Sequence, residues 1–406
     1  MAGDFSMSGF PLNPLPDDAR CIAMGVACTA IADRAAASGV NPAAATGEST
    51  TSFNVQLRHA ILETVYLDQE GLNAEALGAE QGQLYMPIDD SPTEISRAGI
   101  NVPLGRWSLG GFYRKPIGFS AAGNREDRYH PAHGSRYTSI HEFEARMETV
   151  GVTAAYQVSD AWHVGISLMS SKMELKLNDR WEAEGLFTLP GQPATYSGAY
   201  FADEINSDDR DTVWQAGVIY RPDGPFSFGF AWREGESFEL AGRAVETYLQ
   251  DGTALDRSRR GDYALEMPGF WSLGVGWRIG ETWLLGFEYV RTEHSVLPPV
   301  RTHSLGLGVS AEYLTEPIDD TNSLRLGLEK TICGDWAIDC LYLRLGMLSE
   351  GDHDGMAAIQ GYDTQFTGGL GMVFGQRDQF SFDVAGLGGD EEILFVASLT
   401  YRLAGN

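Results

Sequence analysis

Nine charged residues fall where strand alternation would turn them away from bulky apolar neighbours: Glu142, Glu144, Arg146, Arg233, Glu288, Arg325, Glu329, Arg344 and Asp383. In a strand, residues two apart share a face. Arg233 is therefore out of phase with Phe226, Phe228, Phe230 and Trp232, and Glu288 with Trp283, Leu285, Phe287 and Tyr289. A water-poor interior forces such inward charges to pair. They would form a structural ion-pair network, or else a relay or selectivity site on a path through the molecule. Four cysteines stand as two close pairs, Cys21 with Cys28 and Cys333 with Cys340. Of the three connectivities, local pairing is the simplest, and it implies an oxidising compartment. Neither pair has the spacing of a zinc or thioredoxin-like site.

Other groups offer weaker chemistry. Asp89-Asp90 and Asp352-His353-Asp354 could activate water, and His130, His133 and His141 form a histidine cluster. Nothing in the sequence brings the carboxylates to the histidines, and the histidine spacing is no standard ligand set. No nucleophile elbow, P-loop or dinucleotide fingerprint sits between a strand and a helix. The expectation is a protein with no catalytic residue, no metal and no cofactor.

The elements that position these residues follow from the hydropathy pattern. Residues 270–289 read FWSLGVGWRIGETWLLGFEY, two alternating runs around a short polar turn, which predicts an antiparallel hairpin. One face is large and apolar, the other small or charged. A soluble sandwich seldom carries so much glycine on its outer face, whereas a membrane barrel sets its large face in lipid and its small face in the lumen. Glycine numbers 48 of 406 residues, and no run of eighteen apolar residues allows a membrane helix. The hairpin recurs, with second strands opening at Trp107, Trp162, Phe226, Trp283, Trp336 and Phe380. Aromatics beside short turns are the girdle of an outer-membrane barrel. The pattern predicts about fourteen strands over residues 52–403, joined on the other side by long connections that include 116–139, 178–208 and 242–262. The alternating stretch 301–314 falls inside one such connection.

In the fourth strand the apolar phase runs Phe143, Ala145, Met147 and then shifts to Val150, Val152, Ala154, which predicts a β-bulge near Glu148 and Thr149. The formal net charge of -27 argues against nucleic-acid binding. Its acids crowd connections: Asp203, Glu204, Asp208, Asp209 and Asp211, then Asp319 and Asp320, then Glu350, Asp352 and Asp354. Solvated loops account for them, and divalent-cation binding is the alternative. The first residues, MAGDFSMSGF, have neither a basic nor an apolar signal region, so the sequence is read as a mature form.

Residues 1–50 do not alternate. They are rich in alanine and break at Asn41-Pro42, which predicts a small-residue segment filling the lumen of a barrel formed by 51–406. The stretch GVACTAIADRAAASGVNPAAA, with Ile31-Ala32-Asp33 and Asn41-Pro42-Ala43, and the opening Gly9-Phe10-Pro11-Leu12-Asn13 resemble the FadL/OmpP1/TodX family of outer-membrane transporters. The resemblance implies a fourteen-stranded barrel in the bacterial outer membrane. It implies passive uptake of hydrophobic molecules such as long-chain fatty acids. Asn41, Pro42 and Ala43 would belong to a gating plug, and the partners would be membrane lipids and a hydrophobic ligand. The chain departs from the family pattern in its ending, Tyr401 to Asn406, its cysteines and its charged interior. The alternative is a barrel that moves no small molecule and binds another envelope protein.

Overall fold

Bulky and small side chains alternate along ribbons that close into a ring. The computed structural model describes residues 18–67, 85–90, 93–130, 135–188, 195–250, 253–296, 319–334, 338–351, 362–374, 379–388 and 392–403. Fourteen antiparallel strands follow in chain order. They are β1 (Ser52–Leu67), β2 (Tyr85–Asp90 continued by Thr93–Leu104), β3 (Trp107–His130), β4 (Ser135–Gln157), β5 (Trp162–Thr188) and β6 (Thr195–Tyr220). Next come β7 (Phe226–Arg233 continued by Glu236–Gln250) and β8 (Thr253–Met267 continued by Phe270–Ile279). The ring is completed by β9 (Trp283–Thr292), β10 (Thr321–Cys333), β11 (Cys340–Gly351), β12 (Tyr362–Phe374), β13 (Phe380–Gly388) and β14 (Glu392–Arg402). Ser52 of β1 pairs with Arg402 of β14 and Leu62 with Glu392, so the first and last strands close the sheet into a ring.

The outer surface is the bulky row. Phe226, Phe228, Phe230 and Trp232 are all exposed, as are Ile393, Phe395 and Leu399 of the last strand. Rings cluster beside the short turns: Trp107 lies 4.6 Å from Tyr156, Trp162 4.4 Å from Tyr220, and Phe380 4.9 Å from Tyr401. Lys330 stands 4.5 Å over Trp283, a cation–π contact at the same rim. Trp336 lies outside the described residues, as do His133, 301–314 and Asp352-His353-Asp354. Asp89 and Asp90 lie on β2, His130 on β3 and His141 on β4.

The predicted long connections 116–139, 178–208 and 242–262 are mostly strand. β5 has 27 residues, against the ~9–11 that cross a bilayer, so β3 to β8 rise as a wall beyond the lipid. The hydropathy phase inverts at that boundary, which corrects two expectations. Below it Val150 and Val152 face lipid and are exposed, while Thr149 and Thr153 are buried inside. Above it Phe143, Ala145 and Met147 are buried inside, and Glu142 and Arg146 are exposed on the outer face. Glu144 shares that face, paired with Lys176 at 2.7 Å and Arg146 at 3.2 Å. These three charges are not in the lumen, because above the lipid the outer face meets water and takes the charge. No bulge interrupts β4. The irregularity beside Glu148 is on β3, where Arg114 pairs with Thr149 and Ile117 with Met147, so Lys115-Pro116 opposes Glu148 alone; a second lies higher on the same strand, between Arg125 and Arg128. Pro116 lacks the N–H that a continuous ladder needs.

Candidate functional site in the barrel interior

The N-terminal segment is seated on inward glycines. It carries α1 (Ala19–Ala23), capped by Asp18, whose side chain accepts the Cys21 N–H at 3.0 Å. Burial pushes the Asp18 carboxyl up, and nearby Asp383 adds to this. Two 3-10 turns follow, Ala35–Gly39 and Pro42–Gly47. A Cβ on Gly286 would lie 2.6 Å from the Ala27 carbonyl, one on Gly274 2.9 Å from the Ala30 nitrogen, and one on Gly346 2.5 Å from the Met24 carbonyl carbon. Gly274 pairs beside Gly229, Gly276 faces Gly286, Gly286 faces Gly327, and Gly327 faces Gly346. The band of missing side chains lets the segment's backbone touch the wall.

Asn41 fastens one side of the segment. Its Oδ1 accepts the Ala43 N–H at 3.1 Å, capping the turn at Pro42, and its Nδ2 donates to the Thr29 carbonyl at 2.9 Å and the Val218 carbonyl at 3.2 Å. Pro42, Ala43 and Ala44 are buried beneath it, and Thr46 Oγ1 lies 2.8 Å from His163 Nδ1. The Cys21–Cys28 disulfide closes the loop between α1 and Thr29, and Cys333–Cys340 joins β10 to β11.

Charges fasten the other side. Arg344 donates to Glu329 at 2.7 Å and to Asp383 at 2.6 Å. Arg20 of α1 donates to both oxygens of Glu329, at 2.9 and 3.0 Å, and to Asp33 at 2.5 Å. Arg34 reaches Asp383 at 3.0 Å. Glu288 accepts the Thr29 N–H at 2.7 Å and faces Arg325 at 3.6 Å. Arg233 stands apart, paired with Glu236 at 2.8 Å, whose other oxygen accepts the Ser171 hydroxyl at 2.6 Å. Six of the nine charges named from sequence thus line the interior, and five of them join the segment or its neighbours.

An apolar cluster joins the segment to the wall. Ile22, Ala23 and Val26 pack with Ile117, Phe143, Met147, Met173, Phe238 and Leu265 from the wall, all buried. This mass touches a defect in the wall. β2 and β3 pair from Leu104 and Trp107 up to Arg97 and Arg114, and the described ladder ends there although both strands continue. β2 is also bulged, since Gln56 of β1 pairs with Arg97 and Leu57 with Ile95. Arg58 fills the gap, donating to the Lys115 carbonyl at 2.8 Å, the Pro116 carbonyl at 3.1 Å and Glu94 at 2.5 Å, and Lys115 also pairs with Glu94. Arg97 and Arg114 stand side by side within the wall, both buried, Arg97 5.1 Å over Phe112 and 3.0 Å from Ser38 Oγ.

A sequence profile described as outer membrane protein transport protein (OMPP1/FadL/TodX) matches residues 5–338. The chain belongs to this family. Solved structures of FadL type share its fold. A Pseudomonas aeruginosa FadL homologue superposes with a TM-score of 0.67 at 15% identity, covering 100% of this chain and 99% of that one. The P. putida toluene transporter TodX gives 0.66 at 14%, covering 95% and 98%. The CymD monoaromatic hydrocarbon channel gives 0.62 at 15%, covering 97% and 99%. No curated relative matches the sequence. This FadL-family protein is therefore an outer-membrane β-barrel, and its family and neighbours are transport proteins rather than enzymes.

Sequence reasoning missed half of this FadL-type interior. Arg20, Asp33 and Arg34 bracket the Ile31-Ala32-Asp33 element, and three charges in a small-residue segment were the available signal. Arg58 carried one too, since an arginine in phase with Asn54 and Gln56 is an inward charge. The acids Asp209 and Asp211, read from sequence as loop carboxylates, accept backbone N–H groups of Glu239 and Ser237.

Proposed function

We propose that the protein takes up fatty-acid-like molecules, holds them in the apolar interior and releases them sideways through the gap between β2 and β3. The observation that carries this reading is the end of the β2–β3 ladder at Arg97 and Arg114, beside an apolar mass that includes Ile117. A molecule leaving there meets lipid without crossing the segment below. Met147 and Met173 favour a site that accepts varied apolar shapes, because an unbranched thioether repacks easily. The related channels are named for toluene and monoaromatic hydrocarbons. Two buried arginines beside the gap favour a ligand that also carries an anionic head. The N-terminal segment acts as the plug, with Asn41, Pro42 and Ala43 at its gate, since its seat closes the lower lumen.

The test is uptake of a radiolabelled long-chain fatty acid into vesicles containing the protein. The expected result is faster uptake than into protein-free vesicles, lowered about tenfold by a disulfide between Glu94→Cys and Lys115→Cys and restored by reductant. Equal uptake with the gap locked and unlocked would reject the sideways route.

A further inference from the structure

The wall has a second discontinuity, between β6 and β7. The two strands pair from Tyr220 and Phe228 up to Gln215 and Arg233, and again from Ile205 and Gly242 up to Gly198 and Leu249. Between these ladders, 206–213 and 236–241 have no register pairing. Side chains bridge them instead. Ser237 N–H donates to Asp211 Oδ2 at 2.8 Å, Glu239 N–H to Asp209 Oδ2 at 2.7 Å, and Ala241 N–H to Ser207 Oγ at 3.0 Å. The same carboxylates take N–H groups of β6, Thr212 on Asp211 at 2.7 Å and Arg210 on Asp209. Side-chain oxygens stand in for the missing rungs of the ladder.

Both strands of the β7–β8 hairpin also break at the foot of this seam, at Glu234-Gly235 and Pro268-Gly269. The joints lie against each other: a Cβ on Gly235 would be 2.7 Å from the Met267 carbonyl, and one on Gly269 2.9 Å from that of Arg233. Above the joints Phe238, Leu240, Leu265 and Met267 turn inward and are fully or almost fully buried in the apolar interior. Below them Trp232 and Trp214 are exposed on the lipid-facing surface. The seam therefore sits at the outer boundary of the membrane, with the apolar interior directly behind it. A bridge made by side chains opens by rotamer change, without unzipping a ladder.

We infer that this carboxylate-bridged seam is a second opening of the wall, through which a hydrophobic molecule is admitted to the interior, separate from the β2–β3 gap. The inference rests on the uptake reading for what passes, and on the seam alone for the opening. The paired joints let the upper β7–β8 hairpin bow outward and widen the seam, while the ladders at either end keep the ring closed. Asp209 and Asp211 act as the latches, each accepting one backbone N–H from its own strand and one from the strand opposite.

Two measurements on the full chain test it. In the Asp211→Cys, Ser237→Cys variant, oxidation should lower fatty-acid uptake about tenfold relative to the same variant reduced, with wild type as the control for reductant; equal rates would overturn the inference. Hydrogen exchange reads the opening without transport. In wild type the amides of Ser237, Glu239 and Ala241 should exchange about tenfold faster than those of β7 in the ladder above, and equal protection would overturn the inference as well. Fast exchange at these amides in a protein that takes up no fatty acid would reject the transport reading and leave the opening standing.

Discussion

Replacing Arg344 with alanine is expected to loosen the barrel more than any other single charge removal. The guanidinium is fully buried and bridges Glu329 and Asp383. Its loss leaves two carboxylates inside the ring, answered only by Arg20 and Arg34 of the N-terminal segment. Breaking a buried pair by removing one partner costs about 3–5 kcal/mol, because the remaining charge keeps its desolvation penalty. The heat needed to convert the folded band to the unfolded band on a detergent gel should fall clearly. Arg344→Lys should recover only part of it, since an ammonium cannot reach both carboxylates with a planar fork. An unchanged transition in the alanine variant would mean that water, rather than Arg344, compensates these acids.

Gly346→Val should unseat the N-terminal segment. A Cβ there would press on the Met24 carbonyl carbon, and the obstructing atoms are backbone on both sides, so no rotamer change relieves the clash. Overpacking of this kind costs about 1–3 kcal/mol, and the segment can escape it by leaving its seat. The expected outcome is a folded barrel whose residues 18–50 become open to protease and whose vesicles leak small solutes. A barrel that stays sealed would remove the plug role from this segment. Gly388→Val is the control, because nothing lies within reach of its Cβ.

The lipid-facing half of the fold was legible because one physical rule acts on it. Phe226 to Trp232 and Ile393 to Leu403 alternate because every second residue meets hydrocarbon. The wall above the lipid obeys another rule, with water outside and apolar contact inside, so Glu142, Glu144 and Arg146 were assigned to the wrong face. The sequence marks that inversion only as the shift of phase at Glu148. The ion pairs of the interior were legible as types but not as partners. Arg344 and Glu329 pair across one short turn, whereas Arg20 reaches Glu329 from 309 positions away. Arg58, Glu94 and Lys115 meet only because the β2–β3 ladder stops, and no local pattern announces where a ladder stops.

The seat of the N-terminal segment also fixes an order of events in making the protein. Cys21 and Cys28 are each only 1% exposed, packed among Met24, Ile31, Ala32 and Ala44 of the segment inside the ring, with Ile219 of the wall. Once the ring has shut, no oxidant can reach their sulfurs, so this bond must form on the unassembled chain during its passage to the membrane. Chains exported without oxidant should carry thiols at 21 and 28 that a maleimide labels before assembly and cannot label afterwards. Cys333–Cys340, whose residues are partly open at the rim, has no such deadline.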